Sequence, residues 1–130
     1  AGGMMMVMGS STDKAGATRA LSDLRTMASA TLQYYADKGN NAAAPTLQDL
    51  GKYNNKTLAD TEYGVGTHKV AGSSDQIWVG VAVPQASRAK FLEIVSQEKL
   101  VVNGIGTGGD SQDIGTTAYT NEAFAYMRAR

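Results

Sequence analysis

The most regular pattern in the chain lies in residues 13–38, where Ala17, Leu21, Leu24, Ala28, Leu32 and Tyr35 recur at three- and four-residue spacing. Arg19, Asp23, Arg25 and Asp37 fall off that stripe, so the segment predicts an amphipathic helix of several turns. Ser11, Thr12 or Asp13 offers a cap for its first N–H groups, and Gly39 followed by Asn40 and Asn41 offers a left-handed stop. Gly16 and Thr18 weaken the first turn. The expectation is that Leu21, Leu24, Ala28 and Leu32 are buried on a sheet. Ala15, Ala17, Ala20, Ala28 and Ala30 would let the helix approach it closely. Tyr34 and Tyr35 straddle the stripe, one packing and the other covering a neighbouring loop.

Beyond the small-residue loop 40–45 the period changes. Thr46, Leu47, Leu50 and Tyr53 predict one or two helical turns from a Thr cap, broken by Gly51, Asn54 and Asn55. Residues 62–70 alternate imperfectly through Tyr63, Val65 and Thr67, and Gly64 and Gly66 mark an edge strand or a bulged loop. Residues 77–83, IWVGVAV, are β-branched and aromatic, the strongest strand signal, with cover on at least one face. Pro84 ends that strand and Ser87 caps a short helix. Phe91, Leu92, Ile94 and Val95 face inward there, with Arg88, Lys90, Glu93 and Gln97 outward. A second strand is expected at 100–102, and a long surface loop at 103–117, where five of the fifteen glycines lie with Asp110, Ser111 and Asp113. Tyr119, Phe124, Tyr126 and Arg128 then predict a closing strand in 118–130. The fold class that follows is α+β: a long N-terminal amphipathic helix on a small, mainly antiparallel sheet, with a second short helix between strands.

Length and charge narrow the picture. The 130 residues make one domain, and twelve Lys plus Arg balance twelve Asp plus Glu, so neither a nucleic-acid footprint nor an acidic tail emerges. Zero cysteines exclude a disulfide framework and thiolate chemistry, and a single histidine leaves little for His-based metal sites. Ala1-Gly2-Gly3 reads as vector-derived or processed. Residues 1–12 are therefore set apart as a remnant or truncated linker, with 13–130 as one globular head. The run Met4, Met5, Met6, Val7, Met8 falls short of the roughly 20 apolar residues a membrane span needs.

Several motifs invite a chemical reading. Gly104, Gly106 and Gly109 fit GxGxxG, but only 21 residues follow Gly109 and they do not read as helix plus parallel strand, so a bulged loop is preferred to a dinucleotide site. Asp110, Ser111 and Asp113 offer hard oxygen ligands for calcium, yet Asp and Gly are also what solvated turns use. His68 with Ser73, Ser74 and Asp75 lacks any nucleophile-elbow context, and Trp78 reads as a core or sheet-face anchor. The expectation is no enzyme: no catalytic residues, no cofactor and no metal.

The segment KAGATRALSDLRTMASATLQYYADKGN, with Tyr34 five residues before Gly39, resembles the soluble head of a type IV pilin or type II secretion pseudopilin. The later IWVGVAVPQASRAKFLEIVSQEKLV, strand, Ser-headed helix and strand, is similar to the type IVb branch. The resemblance implies a structural filament subunit, with other copies and related pilins as partners. A hydrophobic N-terminal helix, absent from this sequence, would anchor it in the inner membrane and then pack in the filament core. It further implies a bacterial cell-surface location after an inner-membrane and periplasmic stage, and contacts to neighbouring subunits through residues 39–75 and 84–117. The Cys pair that staples many pilin heads is missing, so packing and backbone hydrogen bonds would close the C-terminal loop. The competing expectation is a small soluble α+β ligand-binding module with a pocket near Trp78; an enzyme using His68 and the 110–113 loop ranks last.

Overall fold

The computed structural model describes the backbone of residues 2–130 and the side chains of residues 13–130. The element order is α1 (Gly2–Lys38), α2 (Leu47–Asn54), β1 (Tyr63–His68), β2 (Gln76–Ala82), a 3-10 turn (Gln85–Ser87), α3 (Arg88–Gln97), β3 (Val102–Ile105), β4 (Gly109–Asp113) and β5 (Phe124–Arg128). The fold is α+β: the N-terminal helix packs on a mixed five-stranded sheet beside two shorter helices.

Helix α1 begins at Gly2, so Ser11, Thr12 and Asp13 lie inside it rather than capping it. No proline interrupts residues 4–12, and methionine is a good helix former, so the backbone had no reason to start later. The reading of residues 1–12 as a remnant or linker, and of the Met4–Met8 run, turns on side chains outside the described residues. The buried face of α1 is also rotated from the expected stripe: Ala17, Ala20, Leu24, Met27, Thr31 and Tyr34 form it, flanked by Leu21, Ala30 and Tyr35. Those six alternate three- and four-residue steps, a period close to 3.5. Leu32 is 55% exposed. It lies about 80° around the helix from Leu24, on the side away from Met27 at about 60°, so burying both would need a wider face than one sheet covers. Thr31, fully buried, satisfies its hydroxyl on Met27 O at 2.9 Å. Tyr34 and Tyr35 are both buried and meet edge to face, and Tyr34 covers the following loop by donating to Ala43 O at 2.9 Å.

Helix α2 has the expected Thr46 cap, completed into a capping box: Asp49 N donates to Thr46 Oγ1 at 3.2 Å and Thr46 N to Asp49 Oδ2 at 3.0 Å. Gly51 sits buried within the helix instead of breaking it, and the stop comes at Asn55, in the left-handed region at φ 54°. Ser87 is not a side-chain cap. It belongs to the 3-10 turn, is buried against Gly16 of α1, and makes no capping bond. Phe91 and Val95 are the buried anchors of α3, while Leu92 and Ile94 are half-buried. At its end Lys99 turns left-handed and Leu100 N returns to Val95 O, which leaves Val101 72% exposed and delays the strand expected at 100–102 to Val102–Ile105.

The strands lie in the order β3-β5-β2-β1-β4. The three pairs β1–β2, β2–β5 and β3–β5 are antiparallel, while β1–β4 is parallel with a register shift between Gly64 and Gly66. Strand β1 is therefore interior, not the edge expected from its glycines, and its irregularity appears as that shift. Residues 103–117 are not a free surface loop either: they hold β3 on one edge, β4 on the other, and the connection between them.

Alternation divides the sheet into two faces. Val65, Ile77, Val79, Val81, Ala125 and Val102 join the α1 core, while Trp78, Phe124, Tyr126 and Ile114 form a second cluster on the opposite face. That second face has a specific shape. Only four peptide steps separate Ile105 from Gly109, a reach of at most about 14 Å, whereas four inter-strand spacings cover about 19 Å in a flat sheet. The sheet must curl, and Tyr126 fills the concave side. Its ring lies across Gly80 and its hydroxyl end across Gly64, where any side chain would collide. The hydroxyl donates to Thr107 O at 2.9 Å in the crossing segment. Gly80 of IWVGVAV and Gly64 of YGVGTH are the room this tyrosine needs, while Gly66 makes room for the backbone at Gln112 on β4.

Candidate functional site

The surface most distinctly built by the fold runs along the outward side of α1. Its polar residues Thr18, Ser22, Thr26, Ser29 and Gln33 recur at three- and four-residue spacing and line a trough of about 650 Å³. Tyr53 and Asn54 from α2, and Ile94 and Glu98 from α3, complete the lining. Both flanking helices are fastened to α1 by named contacts. Tyr53 donates to Asp37 Oδ2 at 2.7 Å, which, together with burial, raises the phenol above its ordinary pKa. Lys56 Nζ donates to the Tyr63 hydroxyl at 3.1 Å, a bond that raises the lysine's pKa despite some burial, and the hydroxyl reaches Asp23 Oδ2 at 3.5 Å. On the other flank Arg25 Nη2 donates to Glu98 Oε1 at 2.8 Å, just past the end of α3, while Phe91 of α3 packs edge to face on Tyr119 in the segment before β5.

The trough is lined from both of the regions for which the pilin resemblance implies subunit contacts, because Tyr53 and Asn54 come from 39–75 and Ile94 and Glu98 from 84–117. Their convergence on α1 was not legible beforehand, although the strip of small polar residues at helical spacing was present in the sequence. Chemically the trough offers hydroxyls, amides, the Arg25–Glu98 ion pair and the Lys14 ammonium beside the apolar Leu21 and Ile94, a mixed lining of the kind protein surfaces dock on.

The remaining motifs are dispersed. Gly104 lies in β3, and the chain after Gly109 runs on as β4 rather than as a helix, so no helix N-terminus faces these glycines. Asp110 Oδ1 accepts from Leu47 N at 2.7 Å, at the start of α2; Asp113 is exposed, and Ser111 sits at φ 57°. Among the described residues no three His, Asp or Glu side chains gather where they could hold a metal ion. His68 Nδ1 lies 2.8 Å from Ile114 O, while Ser73, Ser74 and Asp75 line a separate cleft of about 610 Å³ with Arg128 and Arg130. Arg130 is held there over the Tyr35 ring, 3.8 Å from its centroid, and donates to Asn40 O. Trp78 is buried in the second cluster, donates to Gln76 Oε1 at 3.1 Å, and lines neither the trough nor this cleft. Among the described residues no helix is long and apolar enough to cross a membrane. No protein-family model matches the chain, and neither a curated protein nor a solved structure matches it.

Proposed function

We propose that this chain is the head of a type IV pilin-like filament subunit, nearest the type IVb branch, and that it acts mechanically rather than catalytically. The observation that carries the reading is the arrangement around α1: a continuous 37-residue helix packs on the sheet by one face of its residues 17–35 while α2 and α3 flank the outward strip. A subunit that stacks through an N-terminal helix needs this division, one face committed to its own head and another left for neighbours. Its partners on this reading are further copies and related pilins, and its location is the bacterial surface after passage through the inner membrane and periplasm. The anchoring segment would be an apolar helix of roughly 20 residues continuous with α1.

The deciding experiment reads the native gene upstream of Met4 and then deletes it. A short basic leader followed by an apolar helix, with loss of surface filaments on deletion, is the expected result. Loss of protein secretion with filaments intact would assign the subunit to a secretion pseudopilus instead. A native start near Met4 with no such segment overturns the filament reading.

A further inference from the structure

The segment between β3 and β5 is built as a detachable arm. Its base is closed independently of its tip: Gly104 N donates to Thr117 O at 3.1 Å, Tyr119 N to Val102 O at 2.8 Å, and Asn103 bridges Ala118. Residues 106–116 leave that base, cross the concave face, add β4 to the outer side of β1, and return. The pairing at the tip is short, with Gly64, Gly66 and Thr67 opposite Gly109, Gln112 and Asp113 across a register shift. The arm strand is polar, and Gly109 and Ser111 both depart from strand geometry, at φ 96° and 57°. Register is weakly specified in strands of this kind. What holds the arm down is the buried Ile114 side chain, with Ile114 N on Thr67 O, His68 Nδ1 on Ile114 O, Tyr126 on Thr107 O and Leu47 N on Asp110 Oδ1, and at its returning end Asn103 Nδ2 donates to Gly115 O at 2.8 Å.

The two ends of the arm carry Gly106 and Gly115. Unlike Gly80, neither has a neighbour within 4 Å of where a side chain would stand, and neither adopts a positive φ. Space and conformation do not demand glycine there; freedom of the backbone is what it supplies.

We propose that this arm exchanges between two copies of the chain, each β4 leaving its own β1 and docking on the partner's. The occupant is fixed by the structure, since the segment that fits the β1 edge is the chain's own and a second copy carries the same one. The bonds made by residues 107–114 to the rest of the fold are remade across the pair, and the change is confined to the backbone around Gly106 and Gly115, where the bond from Asn103 Nδ2 to Gly115 O must yield or stay with its own base, which makes exchange a low-cost route to a dimer. The inference is independent of the filament reading and can be tested on the head in solution.

The test concentrates and warms the protein, separates species by size-exclusion chromatography with light scattering, and introduces the pair Thr67→Cys/Asp113→Cys. These positions face each other on β1 and β4, and the chain has no other cysteine. The expected result is a slowly relaxing dimer that oxidation converts to a disulfide-linked pair on a non-reducing denaturing gel, while monomer oxidised beforehand no longer dimerises. A dimer whose bridge stays within one chain, or monomer alone at every concentration, overturns the proposal. Hydrogen exchange on the unsubstituted protein keeps the question decidable if the cysteine pair does not fold. Amides of residues 109–114 should exchange at least about tenfold faster than those of β2 and β5, through a local opening. Exchange of the arm only together with the whole sheet refutes it.

Discussion

The packing of Tyr126 over two glycines makes a quantitative prediction. In Gly80→Ala the new methyl would stand 2.5–2.7 Å from three ring carbons of Tyr126. The ring cannot easily yield, since Tyr126 is 0% exposed and its hydroxyl is bonded to Thr107 O at 2.9 Å. Overpacking of this kind costs about 1–3 kcal/mol, and swinging the ring aside would also sacrifice a hydrogen bond of about 0.5–1.5 kcal/mol. Against this, alanine gains about 0.5–1 kcal/mol over glycine within a strand. The clash wins, and a net loss of about 1–2 kcal/mol is expected.

A double-mutant cycle separates this geometry from a general fragility of β2. Tyr126→Ala alone should cost about 3–5 kcal/mol. In that background Gly80→Ala should become neutral or slightly stabilising, which gives a coupling of about 1–3 kcal/mol. Tyr126→Phe keeps the ring and should retain most of the coupling. Urea unfolding followed by Trp78 fluorescence is the natural assay, because Trp78 is the only tryptophan and belongs to the same cluster. With a slope of about 2 kcal/mol per molar urea the midpoint shift for Gly80→Ala is about 0.5–1 M. Additivity within about 0.5 kcal/mol would refute the argument that Tyr126 is why Gly80 is glycine.

Two further outcomes test the other face and the buried phenols. Leu24→Asp places a charge at a position of 0% exposure on the α1 core, with no cationic partner, and should abolish cooperative unfolding; a soluble variant with an unchanged melting temperature would contradict the placement of α1. Burial raises Tyr119 to about 12 and Tyr126 further still. The unfolded chain loses those protons near pH 10 while the native one keeps them, so stability is intact below about pH 10 and falls as pH climbs toward 12. Absorbance at 295 nm should show these two phenols silent until the fold is lost, and Tyr119→Phe should flatten the alkaline slope. Ionisation of all six tyrosines near pH 10 with the fold intact would refute it.

What was legible in the sequence was local. The Thr46 cap, the left-handed stop at Gly39, the IWVGVAV strand and the existence of α1 each depend on residues within a few positions of one another, and each appears close to where it was read. The α1 stripe was legible in kind but not in phase. Leu32 outranks Thr31 on any apolar scale, yet the face is set by where the sheet lies, and Thr31 can enter because its hydroxyl is satisfied on its own helix.

The segment 103–117 fails for a different reason, and the failure identifies what it is. A strand signal comes from β-branched or aromatic side chains packed on a half-buried surface, and β4 has none: Gly109-Asp-Ser-Gln-Asp is in the sheet because Ile114 and Thr107 pin the crossing at either end. Its position is dictated by a tyrosine fourteen residues beyond Gln112 and by two glycines 32 and 48 positions before it, Gly80 and Gly64. No window of sequence contains that arrangement. Read singly, Gly64, Gly66 and Gly80 signal weak strands, and the loop signals solvent. Folded, they are one device: Gly64 and Gly80 empty a curled sheet of side chains to admit Tyr126, Gly66 lets the backbone at Gln112 come close, and a polar strap with no strand preference of its own closes over the ring. A strap held by a few distant anchors rather than by its own residues is also what can leave and return, so the segment least legible in the sequence is the one whose mobility most needs measuring.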